Sequence, residues 1–566
     1  MKITSVLGVV ATLAFSVAAP AIAQPLKFIH GGWERPNSSD LKTHLTTIEK
    51  TPYDGAILSI TGKDDSGRNI DMKPIFRKRK WKQEWFLANV DELKSINNSR
   101  LKENFILVSV TPDHIDWFSD EDWDIVTENF RIAAWAAKQG GARGLVFDPE
   151  MYQQQVFTFE EQRFLADLGK KPIYSFAQYQ EKVRQRGQEV MAAIRKEFPD
   201  IVILGFFLNS QNMNLNHPAD LQYRPYGLLP AFFNGWLDEA SEEMVFVDGV
   251  ENTYYSDGEL DYLRITNDMR TRAIDVVAPE NRARFKKQVQ VGIAFYLDSY
   301  TNPPGSQFYH APLNGSRAER LKHNLSTAAK VTDGYIWTWG EKYRWWPTQT
   351  KGVEESTWEE MLPGLSAHMQ RLKAPQQFQQ QLYLQSKAKI EKGELVNLIK
   401  NGGFDEFGAQ AENAPNDWSS LGMPRYWSNW QKTRGENKNS PRPKGIFAAD
   451  EQAMKLTGMK RDGVLIQEVP VQPGKFYSVR ARHKALGNGE SRISIQWKNA
   501  GGKWIKSNHN VFFPGQNTQQ WQLIEGVFQA PAEAVTAVVL LGTAYQYQET
   551  DAAWFDDVEM YLLPEG

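Results

Sequence analysis

The chain of 566 residues contains no cysteine. That excludes disulfides, a lipid-bearing cysteine, thiolate metal sites and a cysteine nucleophile. Long apolar runs are also scarce. The one near the N-terminus, Val6–Ala18, is too short for a comfortable bilayer span. With Lys2 ahead of it and Ala21-Ile22-Ala23 behind it, it reads as a secretory signal cleaved before Gln24. The expectation is a secreted or periplasmic protein of bacterial type, with no membrane attachment after cleavage. Charge of one sign is lacking too. The 65 basic and 68 acidic residues leave a net charge of −3, which offers no nucleic-acid signature. No H-E-x-x-H, G-x-S-x-G or phosphate-binding loop occurs, and the nine histidines are scattered. No cofactor or metal is therefore expected for catalysis, although His30, Asp148, Glu150 and Asp298 are residue types that suit a hard metal.

Aromatic residues, in contrast, are abundant: 12% of the chain, with 19 tryptophans. Many must fill a core, but aromatic faces also hold sugar rings. The length predicts two or three domains. After the signal, apolar runs and helical patterns alternate. Eight runs read as strands: Lys27–Trp33, Tyr53–Ile60, Phe105–Val110, Gly144–Phe147, Ile201–Leu208, Met244–Val247, Val289–Leu297 and Gly334–Trp339. The third ends at Thr111-Pro112-Asp113-His114. Helical stretches such as Trp123–Gln139 and Phe176–Phe198 separate most of them. Eight strands alternating with helices over this length predict a TIM (β/α)8 barrel. An open doubly wound sheet is the alternative, but His30-Gly31-Gly32-Trp33 lacks the G-x-G-x-x-G spacing of a dinucleotide fold.

Composition changes after residue 352. Val353–Gly393 is rich in Gln and Lys and helical; from Val396 short alternating strands are divided by Gly, Asn and Pro turns. The expected organisation is a signal over 1–23, a barrel over 24–352, a helical linker over 353–395 and an all-β sandwich over 396–566.

The segment Arg143–Tyr152 (RGLVFDPEMY) carries the chemistry best. An apolar strand runs into Asp148 and Glu150, and strand alternation puts both acids on one side. Acids that close discourage each other's ionisation, so one can keep a proton at neutral pH. An isolated D-P-E would be read as a helix cap; other predicted strands ending in acids, amides and aromatics favour a site. Glycosidic cleavage needs one carboxylic acid to protonate the leaving oxygen and a second carboxylate to activate water or attack carbon. Glu150 is the first candidate for the acid, with Asp148 raising its pKa. Glu251, just past the sixth strand, is the first candidate for the second carboxylate, with Glu341 and Asp248 behind it. His30, Trp33, Asn209, Asp248, Tyr254, Tyr296, Asp298, Trp337 and Trp339 fall at or just past strand ends and are the candidate sugar contacts. Trp33 and Trp339 are the better stacking surfaces, while Trp337 can equally fill the barrel. The basic run Arg77–Lys82 (RKRKWK) follows the second strand. It reads first as a solvated loop and second as a grip for uronate or sulfate, which keeps an anionic substrate open.

The barrel, signal and aromatic-rich strand ends together resemble a secreted glycoside hydrolase. The D-x-E of Asp148 and Glu150 is similar to the chitinase-type barrel, in which the glutamate is the acid and the aspartate assists it; Trp337 in GYIWTW fits as well. Arg143, Gly144 and Val146 depart from the fuller chitinase pattern. The ends of the sandwich, Asn397–Asp405 (NLIKNGGFD) and Trp554–Val558 (WFDDV), resemble a jelly-roll carbohydrate-binding module. That resemblance implies a structural calcium held by Asp405 or Glu406 with Asp556 or Asp557. The function so implied is hydrolysis of a polysaccharide or oligosaccharide. A polysaccharide lyase, supported by the basic run, and a non-catalytic glycan-binding barrel are the competing readings; the last predicts that the acids diverge.

Overall fold

The computed structural model describes residues 25–96, 99–110, 115–152, 154–215, 217–348, 350–408, 424–431, 445–450, 453–487 and 489–564. The signal reading and the Thr111–His114 strand end lie outside these residues. Two compact units result, divided between Lys373 and Ala374.

The first unit is a nearly closed parallel barrel. Its strands are β1 (Lys27–Gly32), β2 (Gly55–Leu58), β3 (Phe105–Ser109), β4 (Gly144–Asp148), β5 (Val202–Gly205), β6 (Val245–Asp248), β7 (Val289–Val291), β8 (Ile293–Tyr296) and β9 (Tyr335–Gly340). Neighbours in the sheet run β8-β9-β1-β2-β3-β4-β5-β6-β7, and every pair is parallel. The sheet therefore has nine strands where eight runs are expected from the sequence. The difference lies in Val289–Leu297, which divides at Gly292. A Cβ there would sit 2.9 Å from Val247 Cγ1 and 3.3 Å from the Asp248 carbonyl oxygen.

The strands are buried on both faces, by helices outside and by side chains that fill the barrel inside, which is why they read as continuous apolar runs. The helices begin where short polar side chains satisfy their free amides. Ser119 caps Asp120–Gly140, whose first turn carries Asp120, Glu121 and Asp122, and Gly141 ends it in the left-handed region at φ 75°. Ser175 and Gln178 form a reciprocal cap on Phe176–Glu197. No helix among the described residues is long and apolar enough to cross a membrane.

The second unit is a sandwich of two antiparallel five-stranded sheets. One sheet contains Ser428–Gln431, Gly463–Pro470, Glu490–Lys498, Val511–Pro514 and Thr536–Ala544. The other contains Ile446–Asp450, Ala453–Thr457, Phe476–Leu486, Gln522–Gln529 and Ala552–Leu562. Leu465, Ile493, Ile495, Trp497, Val539 and Leu541 meet Val479, Ala481, Phe528 and Phe555 between the sheets. The helix Pro375–Glu391 packs Leu382, Tyr383 and Ile390 against Phe476 and Tyr561 within this unit.

Candidate active site

β4 delivers the first two carboxylates. Asp148 is buried at the strand end, and its Oδ1 accepts the Glu150 amide at 3.0 Å. Burial, then the neighbouring Glu150 charge, pushes the Asp148 carboxyl up to about 7. Glu150 is also raised, chiefly by burial and also by the charge of Glu341. Two groups act the other way on it. The Tyr152 hydroxyl donates to its Oε2, and the Lys73 ammonium lies within electrostatic range.

Lys73 arrives by strand pairing. Ser109 of β3 pairs with Asp148 on one side, and on the other its amide donates to the Lys73 carbonyl at 2.6 Å. The Lys73 Nζ thus lies 4.0 Å from Asp148 Oδ2.

β6 delivers the third. Asp248 is buried and receives the Ser210 amide at 2.8 Å, the Ser210 hydroxyl at 2.6 Å and the Val250 amide at 3.3 Å. The chain then turns through Val250 at φ 43°, ψ 58°. A β-branched residue in the left-handed region is strained, and such strain concentrates at functional sites. It places Glu251 next to Glu150 and Asp148, whose charges add to burial in raising the Glu251 carboxyl well above the ordinary range. Among the described residues no hydrogen bond or ion pair reaches that carboxylate.

β9 delivers the fourth. The Trp339 Nε1–H donates to Glu341 Oε1 at 3.1 Å, and Tyr296 lies within electrostatic range of the same carboxylate. Behind it, buried Asp298 accepts the Glu341 amide on Oδ2 at 2.9 Å. Burial is the first cause that lifts Asp298 to about 6. Tyr254, Tyr296 and Phe308 form an aromatic wall, with ring centroids 5.4 Å apart for Tyr254 and Tyr296 and 5.0 Å for Tyr296 and Phe308.

The four catalytic candidates, Asp148, Glu150, Glu251 and Glu341, therefore share one electrostatic neighbourhood at the carboxyl ends of β4, β6 and β9. Tyr254, Tyr296, Trp339 and Asp298 join them. Four other residues expected to contact sugar do not lie open to it. His30 is buried, paired with Glu34 at 3.0 Å, and Glu34 in turn holds the Trp345 amide at 2.7 Å. β5 ends at Gly205, so Asn209 falls in a following turn, buried with its Nδ2 toward the Ala273 carbonyl. Asp248 is consumed by the backbone and hydroxyl donors just described. Trp337 fills the interior, stacked on Phe206 at 4.5 Å, with its Nε1 donating to the Gly249 carbonyl at 2.9 Å. Trp33 is 45% exposed. A Cβ at Gly352 would come within 3.3 Å of its ring.

Sequence reading missed Lys73 and Tyr152. Tyr152 carries a detectable signal, two residues past Glu150; Lys73 carries none, because its partner arrives through long-range pairing. The basic run is engaged elsewhere: Arg79 pairs with Asp64, Lys82 with Asp65 and Lys78 with Asp122.

In the sandwich, Asp405 and Asp556 are close enough for the Asp405 charge to raise Asp556, after burial and Asp557. Arg482 stands 3.6 Å from Asp556 and 3.3 Å from Asp557, so a guanidinium already compensates these acids. Among the described residues no group of three or more His, Asp or Glu is disposed to hold a metal. The outward face of the first sheet is more informative. Strand register aligns Trp430, Val464, Gly542 and Arg492 in one row, and Ile466, Leu540, Ser494 and Phe512 in the next. Val538 and Leu540, on this outward face, are only 1% and 7% exposed, whereas Trp430 and Phe512 at its two edges stand open.

Residues 396–543 match the family model described as "Carbohydrate binding domain". No curated protein matches the chain. Among solved structures, a CBM4 is 18% identical, with 29% of this chain and 99% of that one covered and a TM-score of 0.21. The enzymatically active domain of the bacteriophage CBA120 tailspike protein 4 is 13% identical, with 30% of this chain and 22% of that one covered and a TM-score of 0.20. The arabinose-bound MgGH51 α-L-arabinofuranosidase is 8% identical, with 30% and 26% covered and a TM-score of 0.21. This chain thus spans about a quarter of the length of these two enzymes.

Proposed function

We propose that the first unit is a glycoside hydrolase acting on a polysaccharide or oligosaccharide, and that the sandwich binds such a glycan through the exposed aromatics Trp430 and Phe512. The observation that carries the reading is the convergence of Glu150 and Glu251 from separate strands into opposite environments. Glu251 has burial and two neighbouring negative charges, and no donor among the described residues. It keeps its proton and is the group to protonate the leaving oxygen. Glu150 has the Tyr152 hydroxyl and Lys73 to support its charge. It is the ionised partner that attacks the anomeric carbon or activates water. This reverses the roles expected from the sequence. Whichever of the two steps Glu150 performs, its charge adds to burial in holding the proton on Glu251.

The barrel is read as (β/α)8, with β7 and β8 as halves of one strand separated by Gly292 alone. The signal-like N-terminus and a carbohydrate-binding domain together favour an extracytoplasmic location. The lyase reading is weakened because Lys78, Arg79 and Lys82, three of the five basic residues in the run, are engaged in ion pairs. The idle-barrel reading predicts diverging acids.

The test is reducing-sugar release from neutral, acetamido, amino, uronic and sulfated polysaccharides, with Glu150→Gln and Glu251→Gln beside the wild type. Release from one polymer, lost in both variants, supports the proposal. Full activity in Glu251→Gln moves the proton donor to another acid, and no release from any polymer rejects hydrolysis.

A further inference from the structure

Hydrolysis needs two carboxylates, and the mouth of the barrel holds more. Asp148, Glu150, Glu251, Glu341 and Asp298 form a chain of electrostatic neighbours. The cations that act on it are Lys73, on both Asp148 and Glu150, Arg35 and Lys342. Lys73 and Arg35 face Asp148, and Lys342 faces Asp298 with its Nζ on Asn302 Oδ1. Glu251 and Glu341 meet no ammonium or guanidinium in hydrogen-bond or ion-pair range among the described residues.

A second observation is independent of charge. Asp298 is fully buried and uses only Oδ2; its Oδ1 has no hydrogen-bond partner among the described residues. A buried carboxylate oxygen left without a donor is costly, and a ligand that supplies N–H groups removes that cost. A third is the wall beside these acids. Tyr254, Tyr296 and Trp339 stand there, with Trp339 bonded to Glu341 and the Arg35 guanidinium 5.9 Å from the Trp339 ring centroid. Carboxylates interleaved with aromatic rings recognise an ammonium group, through charge-assisted hydrogen bonds and the ring quadrupole.

We propose that this site takes a sugar bearing a free, protonated amine, held by Glu341 against Tyr296 and Trp339. This rests on the reading of the site as a glycan site and narrows it. The chemistry is opposite to the anionic substrate that the basic run suggested: a uronate or sulfate would meet like charges here, and an acetamido group would bring no positive charge. The amine of the ligand also supplies the cation that Glu341 lacks.

The experiment measures binding by calorimetry in the full chain carrying Glu150→Gln, so that turnover does not consume the probe. The probes are short glucosamine oligosaccharides, their N-acetylated counterparts and the matching glucose oligosaccharides, in mildly acidic buffer where the amine is protonated. The expected result is a preference for the amine of about tenfold or more, the size of one charge-assisted hydrogen bond. Added Glu341→Gln brings that ratio to near one and Glu341→Asp restores part of it, while added salt lowers it. Equal binding of the three probes, preference for the acetylated or neutral one, binding of none, or a ratio unmoved by Glu341→Gln overturns the inference. Cleavage of a neutral polymer without amine preference would leave hydrolysis standing and remove this proposal. Amine-selective binding without cleavage of any polymer would do the reverse.

Discussion

The ends of β4 and β6 look alike in sequence and differ in use. Each is a buried aspartate followed, two or three positions later, by a glutamate: Asp148 with Glu150, Asp248 with Glu251. Each aspartate also accepts the backbone amide two residues on. The difference lies in what else arrives. Ser210 brings an amide and a hydroxyl to Asp248, which makes that residue a fixed point for the strained turn at Val250. Asp148 receives instead a lysine at 4.0 Å and a neighbouring carboxylate, and stays electrostatically unsettled. The glutamates invert the contrast: Glu150 has a tyrosine donor and Glu251 has none. One end thus has a settled aspartate and an unsettled glutamate, and the other the opposite.

That contrast can be broken residue by residue. Glu251→Gln removes the proposed proton donor at little steric cost. Its kcat/KM on the substrate found above falls by about a thousandfold, within the range for a general acid; a fall below threefold would remove it from the chemistry. Asp248→Ala leaves the Ser210 amide, the Ser210 hydroxyl and the Val250 amide without their acceptor. A loss of about 2–4 kcal/mol in the urea unfolding of the first unit is expected, and loss of activity without loss of stability would contradict the anchoring role. Asp148→Asn has the opposite sign. The folded-state value of Asp148 is raised from 3.8 to about 7. Its contribution to stability is therefore greatest below the unfolded value and declines as pH rises between the two. The asparagine flattens that decline and gains about 1–2 kcal/mol at pH 8, read from unfolding curves at several pH values. Lys73→Met is the mildest. Without the ammonium, Glu150 ionises only at higher pH, so the acidic limb of the pH–rate profile moves up by about one unit; an unchanged limb would show that Lys73 does not act on this pair.

Much of this was legible from residues alone, for reasons that also mark where legibility stopped. The strands announced themselves because both faces are buried and the apolar runs are continuous. Asp148, Glu150, Glu251 and Glu341 were legible because carboxylates at the ends of such runs have few other uses. What the sequence does not carry is whether a strand-end side chain turns outward or is consumed. Asp248 and Asn209 are residue types that suit a sugar contact, and only long-range partners, Ser210 Oγ and the Ala273 carbonyl, show that they are engaged elsewhere. Lys73 shows the same limit from the other side, since its neighbour Asp148 is set by pairing through Ser109. The proposed assignment of proton donor was not legible either, because it depends on the Tyr152 hydroxyl and on the burial of Glu251 without a donor among the described residues. Gly292 interrupts a run that reads as one strand, and the interruption is a backbone event that hydrophobicity does not register.

The pairing of β1 has a consequence in time. β1 matches β2 over two residue pairs, Ile29 with Gly55 and His30 with Ala56, but matches β9 over six, from Lys27 with Tyr335 to Gly32 with Gly340. The first strand to leave the ribosome thus finds most of its sheet bonds in the last strand of the barrel. Until that strand is synthesised, β1 has an open edge, and contacts so distant along the chain form slowly. A chain stopped before Tyr335 would lack the larger part of that pairing and the Trp339–Glu341 corner of the site together. Closing the ring and completing the acid cluster would then be the same late event.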